Sequence, residues 1–161
     1  MNAIKMLKEQ HRQVDKLFKD FEDAESAEAR RDAFIAIADE LAIHATIEER
    51  HFYPSVKEAQ TDGILLESVE EHLQIKRVIA DLLELDAADV EFQAKVTTLQ
   101  EDVGHHVEEE ETELFPTVEK LFDEGKLEAI GRAMAETEDE LIRQGSPRNA
   151  IPGETEAAAP V

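Results

Sequence analysis

Apolar residues recur along most of this chain at steps of three and four, the spacing that lines one face of an α-helix. Ile4, Leu7, Val14, Phe18 and Phe21 form a first stripe, and His11 falls on it. Phe34, Ile37 and Leu41 form a second, which runs on through His44 to Glu48. The third holds Leu65, Val69, His72, Ile75, Ile79 and Leu82. The fourth holds Val96, Leu99, Val103, His106, Glu110, Leu114 and Val118. The spacing predicts four long helices near 2–23, 28–59, 63–85 and 89–123. Ala- and Glu-rich turns near 24–28 and 86–89, and the loop signal Thr61-Asp62-Gly63, separate them. Gly125 is expected to stop the fourth helix. A shorter additional helix is expected over 126–143, within a C-terminal element at 124–144. Beyond Gly145 the chain carries Pro147, Pro152 and Pro160 and almost no large apolar residue, so 145–161 is expected to be a flexible, disordered or loosely docked tail.

The pattern occurs twice. EQHRQVDKLFKDF from Glu9 aligns with EEHLQIKRVIADL from Glu70, and LAIHATIEERHFYP from Leu41 aligns with VGHHVEEEETELFP from Val103, at offsets of 61 and 62 residues. His11 thereby matches His72, His44 matches His106, Glu48 matches Glu110 and Pro54 matches Pro116. Two copies of a helical hairpin, about 1–60 and 62–123, predict an all-α, antiparallel up-down-up-down four-helix bundle over 1–123. A chain of 161 residues suffices for one such domain.

The six residues that interrupt the stripes carry the chemistry. His44 and Glu48 stand four apart, as do His106 and Glu110, so each pair shares a helix face and can aim an imidazole and a carboxylate at one point. His11, His44, Glu48, His72, His106 and Glu110 all sit where Leu or Val would serve a core. Two buried carboxylates among four imidazoles require a compensating charge, which bound cations supply. Without a cation, Glu48 and Glu110 would have to take up protons or repel each other. The donor set suits iron, zinc or manganese. Hairpin geometry agrees: the midpoint of His11 and His44 falls at 27.5 and that of His72 and His106 at 89, both at turns. His105, with Glu109 four residues on, competes with His106, but His106 continues the stripe and aligns with His44. His51 lies on the second stripe and is a candidate for an accessory role. The acidic run from Glu108 to Glu111 reads as a solvated face apart from Glu110.

Composition narrows the partners. The net charge of -22, from 39 acidic and 17 basic residues, repels phosphate backbones and anionic lipid heads, so neither nucleic acid nor membrane is expected. The chain has no Cys, which excludes thiolate metal sites and disulfides. The first residues read as an amphipathic helix, not a signal peptide or a membrane span, and a cytoplasmic location is the expectation.

The order H…H-x-x-x-E…H…H-x-x-x-E, with Phe52-Tyr53-Pro54 and Leu114-Phe115-Pro116 after the pairs, resembles the hemerythrin-like, or HHE cation-binding, family over residues 1 to about 123. That resemblance implies an oxo- or hydroxo-bridged centre of two iron ions, with Glu48 and Glu110 bridging and the four histidines as terminal ligands. Oxygen-carrying hemerythrins have H-x-x-x-H on the third helix, where this chain has Lys76 after His72, and H-x-x-x-x-D on the fourth. The missing fifth histidine leaves an open position, and the chain looks closer to actinobacterial hemerythrin-like proteins, some of them associated with peroxide decomposition. Tyr53 stands five residues after Glu48, as a core aromatic in preference to an accessory iron ligand. The resemblance implies hydrogen peroxide, dioxygen or nitric oxide as small ligands. The readings in order are a catalase-like enzyme, a module that binds, buffers or senses oxygen, nitric oxide or iron, and a bundle without metal.

Overall fold

Helix starts are set by side chains that take up the first free backbone N–H groups. Asn2 accepts from the Lys5 amide, Ser26 from Ala29 and Asp123 from Lys126. The computed structural model describes all 161 residues. Helix α1 spans Ala3–Asp23. Helix α2 spans Ala27–Ile47, passes through a π turn at Glu48–Phe52 and ends in one α turn, Tyr53–Ser55. Helix α3 spans Asp62–Leu83. Helix α4 repeats the design of α2, with Val90–Glu109, a π turn at Glu110–Leu114 and a last segment, Phe115–Leu121. Helix α5 spans Glu124–Gln144 and is followed by a 3-10 segment, Pro147–Glu154. The chain is all-helical, α1 packs along α2, and α3 along α4. No helix is long and apolar enough to cross a membrane.

The breaks differ in detail from the expectation. Gly63 and Gly125 lie inside the first turns of α3 and α5 instead of in loops. The loop before α3 is 56–61, closed by Thr61, whose hydroxyl donates to the Val56 carbonyl (2.7 Å) and accepts from the Glu58 amide (3.0 Å). Helix α5 is not short: its 21 residues equal α1. Its Leu127, Ile130 and Met134 are buried against Ala3, Ile4 and Leu7. Gly131 permits that approach, since a Cβ there would stand 2.1 Å from the Met1 carbonyl oxygen.

The tail also departs from expectation, because it docks. Ile151, its one large aliphatic residue before Val161, is only 2% exposed and joins the core of α2 and α3. Arg148 clasps Asp39 at 2.9 and 3.2 Å, Arg77 donates to the Thr155 carbonyl (3.0 Å) and Lys57 to the Val161 carbonyl (2.8 Å). Prolines that read as disorder here stiffen a 3-10 segment, and one aliphatic anchor suffices to seat it.

Two apolar clusters fill the interior. One gathers Leu7, Ile47, Tyr53, Val69, Phe115 and their neighbours; the other gathers Val14, Leu41, Ile75, Val103 and theirs. His11 falls between Leu7 and Val14, His72 between Val69 and Ile75, and His44 between Leu41 and Ile47. The polar interruptions of the stripes therefore form one layer between two hydrophobic layers.

Candidate metal centre

The π turns place the site. The Tyr53 amide donates to the Glu48 carbonyl, and the Phe115 amide to that of Glu110, closing i→i+5 rings at matching points of the two repeats. In an α-helix a residue five positions on stands about 140° round from the first. The wider turn carries it back toward the same face. Pro54 and Pro116 come next in each repeat; lacking an N–H, they cannot extend the i→i−4 ladder, which favours a break there. The stripes, read at one uniform period, hold no sign of these turns. Tyr53 and Phe115 are returned to the buried layer.

The structure brings all six expected residues together, each at most 6% exposed. They form two triads, His11–His44–Glu110 and Glu48–His72–His106, each with donor atoms within 4.8 Å of one another. The carboxylates tie the triads. Glu48 Oε1 stands 3.1 Å from Nε2 of both His44 and His72. Glu110 Oε1 stands 3.2 Å from His11 Nε2 and 3.3 Å from His106 Nε2. Each carboxylate thus faces one histidine of either triad.

The ring nitrogens are sorted into inner and outer. Each Nδ1 lies against an oxygen: His11 on Glu111 (2.7 Å), His44 on Gln10 (2.6 Å), His72 on Glu49 (2.6 Å) and His106 on Glu71 (2.8 Å). An Nδ1–H donated outward leaves the Nε2 lone pair aimed at the centre, the arrangement that orients metal-ligating imidazoles. Arg12 and Lys76 extend the pattern, pairing with Glu111 (2.5 Å) and Glu49 (2.9 Å). These partners are missing from the sequence expectation, and Glu111 is not the solvated residue that its acidic run suggests. The repeat held a signal for them: Gln10 and Glu71 each precede a ligand histidine, and Glu49 and Glu111 each come after a ligand glutamate.

A cation fits this donor set. His44 Nε2 and Glu48 Oε2 are buried with no hydrogen-bond partner, although His44 Nε2 lies near Glu48 Oε1. Such orphans are costly unless something unseen satisfies them. His72 Nε2 and His106 Nε2 face each other at 3.1 Å. Two imidazole nitrogens bound about 90° apart to one first-row metal, at about 2.1 Å each, lie about 3.0 Å from one another.

Without a cation the imidazoles carry the compensating charge, a third way out beside the expected alternatives that the carboxylates take up protons or repel each other. Burial opposes a charge on His44, but Glu48 and Glu110 outweigh it and push the imidazole up to about 10. His106 is likewise raised well above the ordinary histidine value, with burial outweighed by Glu110 first, and His72 is raised by Glu48 and Glu49 against its burial. Burial and Glu110 resist ionisation of Glu48, yet the histidines hold it down at about 2. Glu110 lies well below the usual carboxylate range, burial being overcome chiefly by His106.

The secondary candidates separate. Tyr53 is a buried core aromatic, but its hydroxyl also donates to Glu110 Oε2 (2.9 Å) and lies 3.2 Å from His72 Nε2. Burial, then Glu110 and Glu48, keep that hydroxyl protonated, well above its ordinary value. His51 turns away to the Thr137 hydroxyl on α5 (2.7 Å). His105 is exposed, beside Glu109 (3.1 Å) and Glu71 (3.4 Å), outside the buried layer. Lys76, at the position of the extra histidine of oxygen carriers, points its ammonium to Glu49 and Glu154 (3.1 Å).

Comparison with known proteins is consistent with this geometry. The family model for the hemerythrin HHE cation binding domain matches residues 2–118. The chain superposes on a crystal structure of a hemerythrin HHE cation-binding domain-containing protein from Mycobacterium kansasii with a TM-score of 0.80 at 24% identity, covering 99% of this chain and 97% of that one. At that identity the likeness shows the fold. The chain is also 27% identical over 118 residues to a protein of Nostoc sp. described as a DNA nickase; the match takes in 73% of this chain but only 34% of that relative's length.

Proposed function

The chain belongs to the hemerythrin HHE cation-binding family, and from that premise we propose that its antiparallel up-down-up-down bundle holds two iron ions and decomposes hydrogen peroxide. The observation that carries the proposal is the pair of three-residue donor sets, His11–His44–Glu110 and Glu48–His72–His106, joined through carboxylates that each face both sets. Glu48 and Glu110 would be shared between the ions, the four histidines would complete the two donor sets, and Tyr53 would stand beside the His72 side as a core aromatic whose hydroxyl donates to Glu110. Two histidines and two shared carboxylates per ion, four protein donors, would still leave open positions on an iron that takes five or six ligands, as catalytic metal sites require. Bound iron supplies Lewis acidity and electron exchange for a reaction in which one peroxide is oxidised to dioxygen and another is reduced to two waters. The protein's own part is to fix the imidazoles by their Nδ1 partners, to hold two carboxylates ionised and to keep bulk water out with aliphatic layers.

A second reading is reversible binding, buffering or sensing of dioxygen or nitric oxide without turnover. It is favoured by a small, almost wholly apolar cavity of about 30 Å³ against His11, His44 and His106, which suits an uncharged diatomic. The nickase description of the Nostoc relative is not carried over: a net charge of -22 opposes binding to a phosphate backbone.

Metal analysis of protein made with ample iron should give two ions per chain, with near-ultraviolet oxo-to-iron absorption. An oxygen electrode should then record steady dioxygen release from peroxide. Metal content near zero would sink the dinuclear reading; full metal with no dioxygen release would leave the binding reading in its place.

A further inference from the structure

Three spaces line up beside the histidines. The cavity of about 30 Å³ against His11, His44 and His106 is bounded by Leu41 and Ile75. A second, of about 20 Å³, lies across those same two residues, touches His72, and is roofed by Pro147, Ala150 and Ile151. It shares Thr46, Lys76 and Glu154 with an open surface pocket of about 280 Å³, whose far wall is 157–160 of the tail. One series of spaces thus leads from solvent, beneath the segment after α5, to all four histidines. Aliphatic side chains line most of its inner part between the histidines, and Leu41 and Ile75 border both inner spaces.

The roof is attached mostly by contacts at the surface. Ile151 is its one fully buried large side chain. Arg148 pairs with Asp39 on α2 (2.9 Å), and Glu154 with Lys76 on α3 (3.1 Å). The backbone leaves α5 through two successive residues of positive φ, Gly145 at 78° and Ser146 at 47°. Ser146 gains nothing from a side-chain cap there, so the link is a costly conformation held in place by the docked segment 147–154. With one fully buried side chain, shallower packing of Ala158, Ala159 and Val161, two partly exposed ion pairs and exposed bonds from Arg77 and Lys57 to its carbonyls, the segment belongs to the less stable part of the fold.

Resting on the dinuclear reading, we propose that 147–161 is a hinged roof over the ligand route to the centre. It turns at Gly145–Ser146 and is latched by Arg148–Asp39 and Glu154–Lys76. Closed, the route passes small uncharged molecules of the size of peroxide, dioxygen or nitric oxide. Chelators and bulky reductants wait for the open state. Lys76 joins the latch to the site, because its second partner, Glu49, holds His72 Nδ1.

The test uses the full-length, iron-loaded chain and two rates: stopped-flow association of nitric oxide, read by absorption, and removal of iron by a hexadentate aminocarboxylate chelator. The variants are Arg148→Ala combined with Glu154→Gln, which unlatches the roof, and Ile151→Ala, which loosens its anchor. Val107→Ala opens the α4 side of the inner cavity instead. Chelator removal should rise about fivefold for each latch pair removed, the ceiling that a partly exposed ion pair sets on the closed state, while nitric oxide association, which the closed route already admits, should change little. Ile151→Ala should raise chelator removal as well, and Val107→Ala should leave it unchanged. Unchanged chelator removal in the first two variants, or its acceleration by Val107→Ala alone, overturns the roof. Wild-type protein that holds no metal overturns the dinuclear reading itself, a result seen in metal analysis before any rate is measured.

Discussion

The hairpin of α1 and α2 and the hairpin of α3 and α4 supply matching ligands, His11 with His72, His44 with His106, Glu48 with Glu110, yet they differ one bond further out. Gln10, a neutral amide, takes the Nδ1 of His44, where Glu71, a carboxylate, takes that of His106. Tyr53 reaches the layer from one hairpin, and Phe115 stacks on His11 at 5.9 Å from the other. In the Glu48–His72–His106 triad both imidazoles are backed by carboxylates; in the His11–His44–Glu110 triad only one is. A carboxylate behind an imidazole makes it a stronger donor. On the dinuclear reading, the inner set keeps the repeat because two bound ions would constrain it. The outer groups are free to diverge, and their divergence would make the two metal positions electronically unlike.

The largest effects come from breaking the inner set. His106→Ala and His44→Ala should each empty a triad and, through the shared carboxylates, weaken the other. His105→Ala, changing an exposed neighbour, should keep both ions. Metal analysis and thermal melting read the difference. Metal held at 100 times its Kd stabilises the fold by about 2.7 kcal/mol, so the ligand variants should melt lower by at least that equivalent. Iron retained in His106→Ala and lost in His105→Ala would show that α4 is turned by about 100° from its present position.

Removing metal without changing residues exposes a pH dependence of slightly wider reach. In the metal-free chain His44 is raised from 6.5 to about 10, and His72 and His106 are raised too. A raised histidine stabilises the fold fully below its unfolded value and ceases to do so as pH climbs through its folded value. Glu48, lowered from 4.5 to about 2, does the opposite: its contribution is present above 4.5 and lost as pH falls toward 2. The metal-free protein should therefore be most stable between about pH 5 and 6.5 and lose on the order of 4 kcal/mol by pH 10. The loaded protein, whose imidazoles are neutral ligands, should show no such loss between pH 7 and 10 and should instead shed metal in acid. Urea melts of both forms across pH would decide; parallel curves would return these histidines to a purely structural role.

Much of this centre was legible in the stripes. A histidine at a core position of each of the first four helices, with a glutamate four residues on in two of them, marks six residues from the sequence alone, and the repeat chooses His106 over His105. The period itself hid the rest. A uniform 3.6-residue turn cannot foresee the π turns at Glu48 and Glu110, so Tyr53 could be expected as a core aromatic but not placed against Glu110 and His72. Glu49, Glu71 and Glu111 were lost among 39 acidic residues, since composition does not tell a solvated glutamate from one backing a ligand. The docking of 147–154 rests on Ile151 and on the ion pairs of Arg148 and Glu154, and one large aliphatic residue is too slight a signal against three prolines.

Exchanging the outer partners should move metal affinity by less. Glu71→Gln gives His106 the amide that His44 already has, and should weaken the Glu48–His72–His106 position by about tenfold, the lower range for loss of such a partner. Gln10→Glu should strengthen the other position and narrow the gap between two binding steps seen in titration with ferrous iron. The new carboxylate must displace the Gln10 contact with Glu138 at 3.0 Å, and that repulsion limits the gain to a few-fold. Equal, unresolved binding steps in the wild type would remove the asymmetry.

The smallest thermodynamic effect, and the sharpest spectroscopic one, belongs to Tyr53. With no metal its hydroxyl is protonated and donates to Glu110 Oε2 at 2.9 Å. A ferric ion beside it would reverse the local charge, because a nearby multivalent cation favours the phenolate as strongly as the two carboxylates oppose it. Tyr53→Phe removes only the oxygen and keeps the ring that packs in the core, and Phe115 shows that the other repeat tolerates that ring. The loaded variant should keep two ions and melt within about 1 kcal/mol of wild type, the net worth of one hydrogen bond. Its ferric spectrum is the test. If Tyr53 ligates, a visible phenolate-to-iron band present in the wild type should vanish in the variant, and the His72 side should open to exogenous ligands. If both spectra lack the band, Tyr53 is a core aromatic that orients Glu110, and the two hairpins differ at the centre only through Gln10 and Glu71.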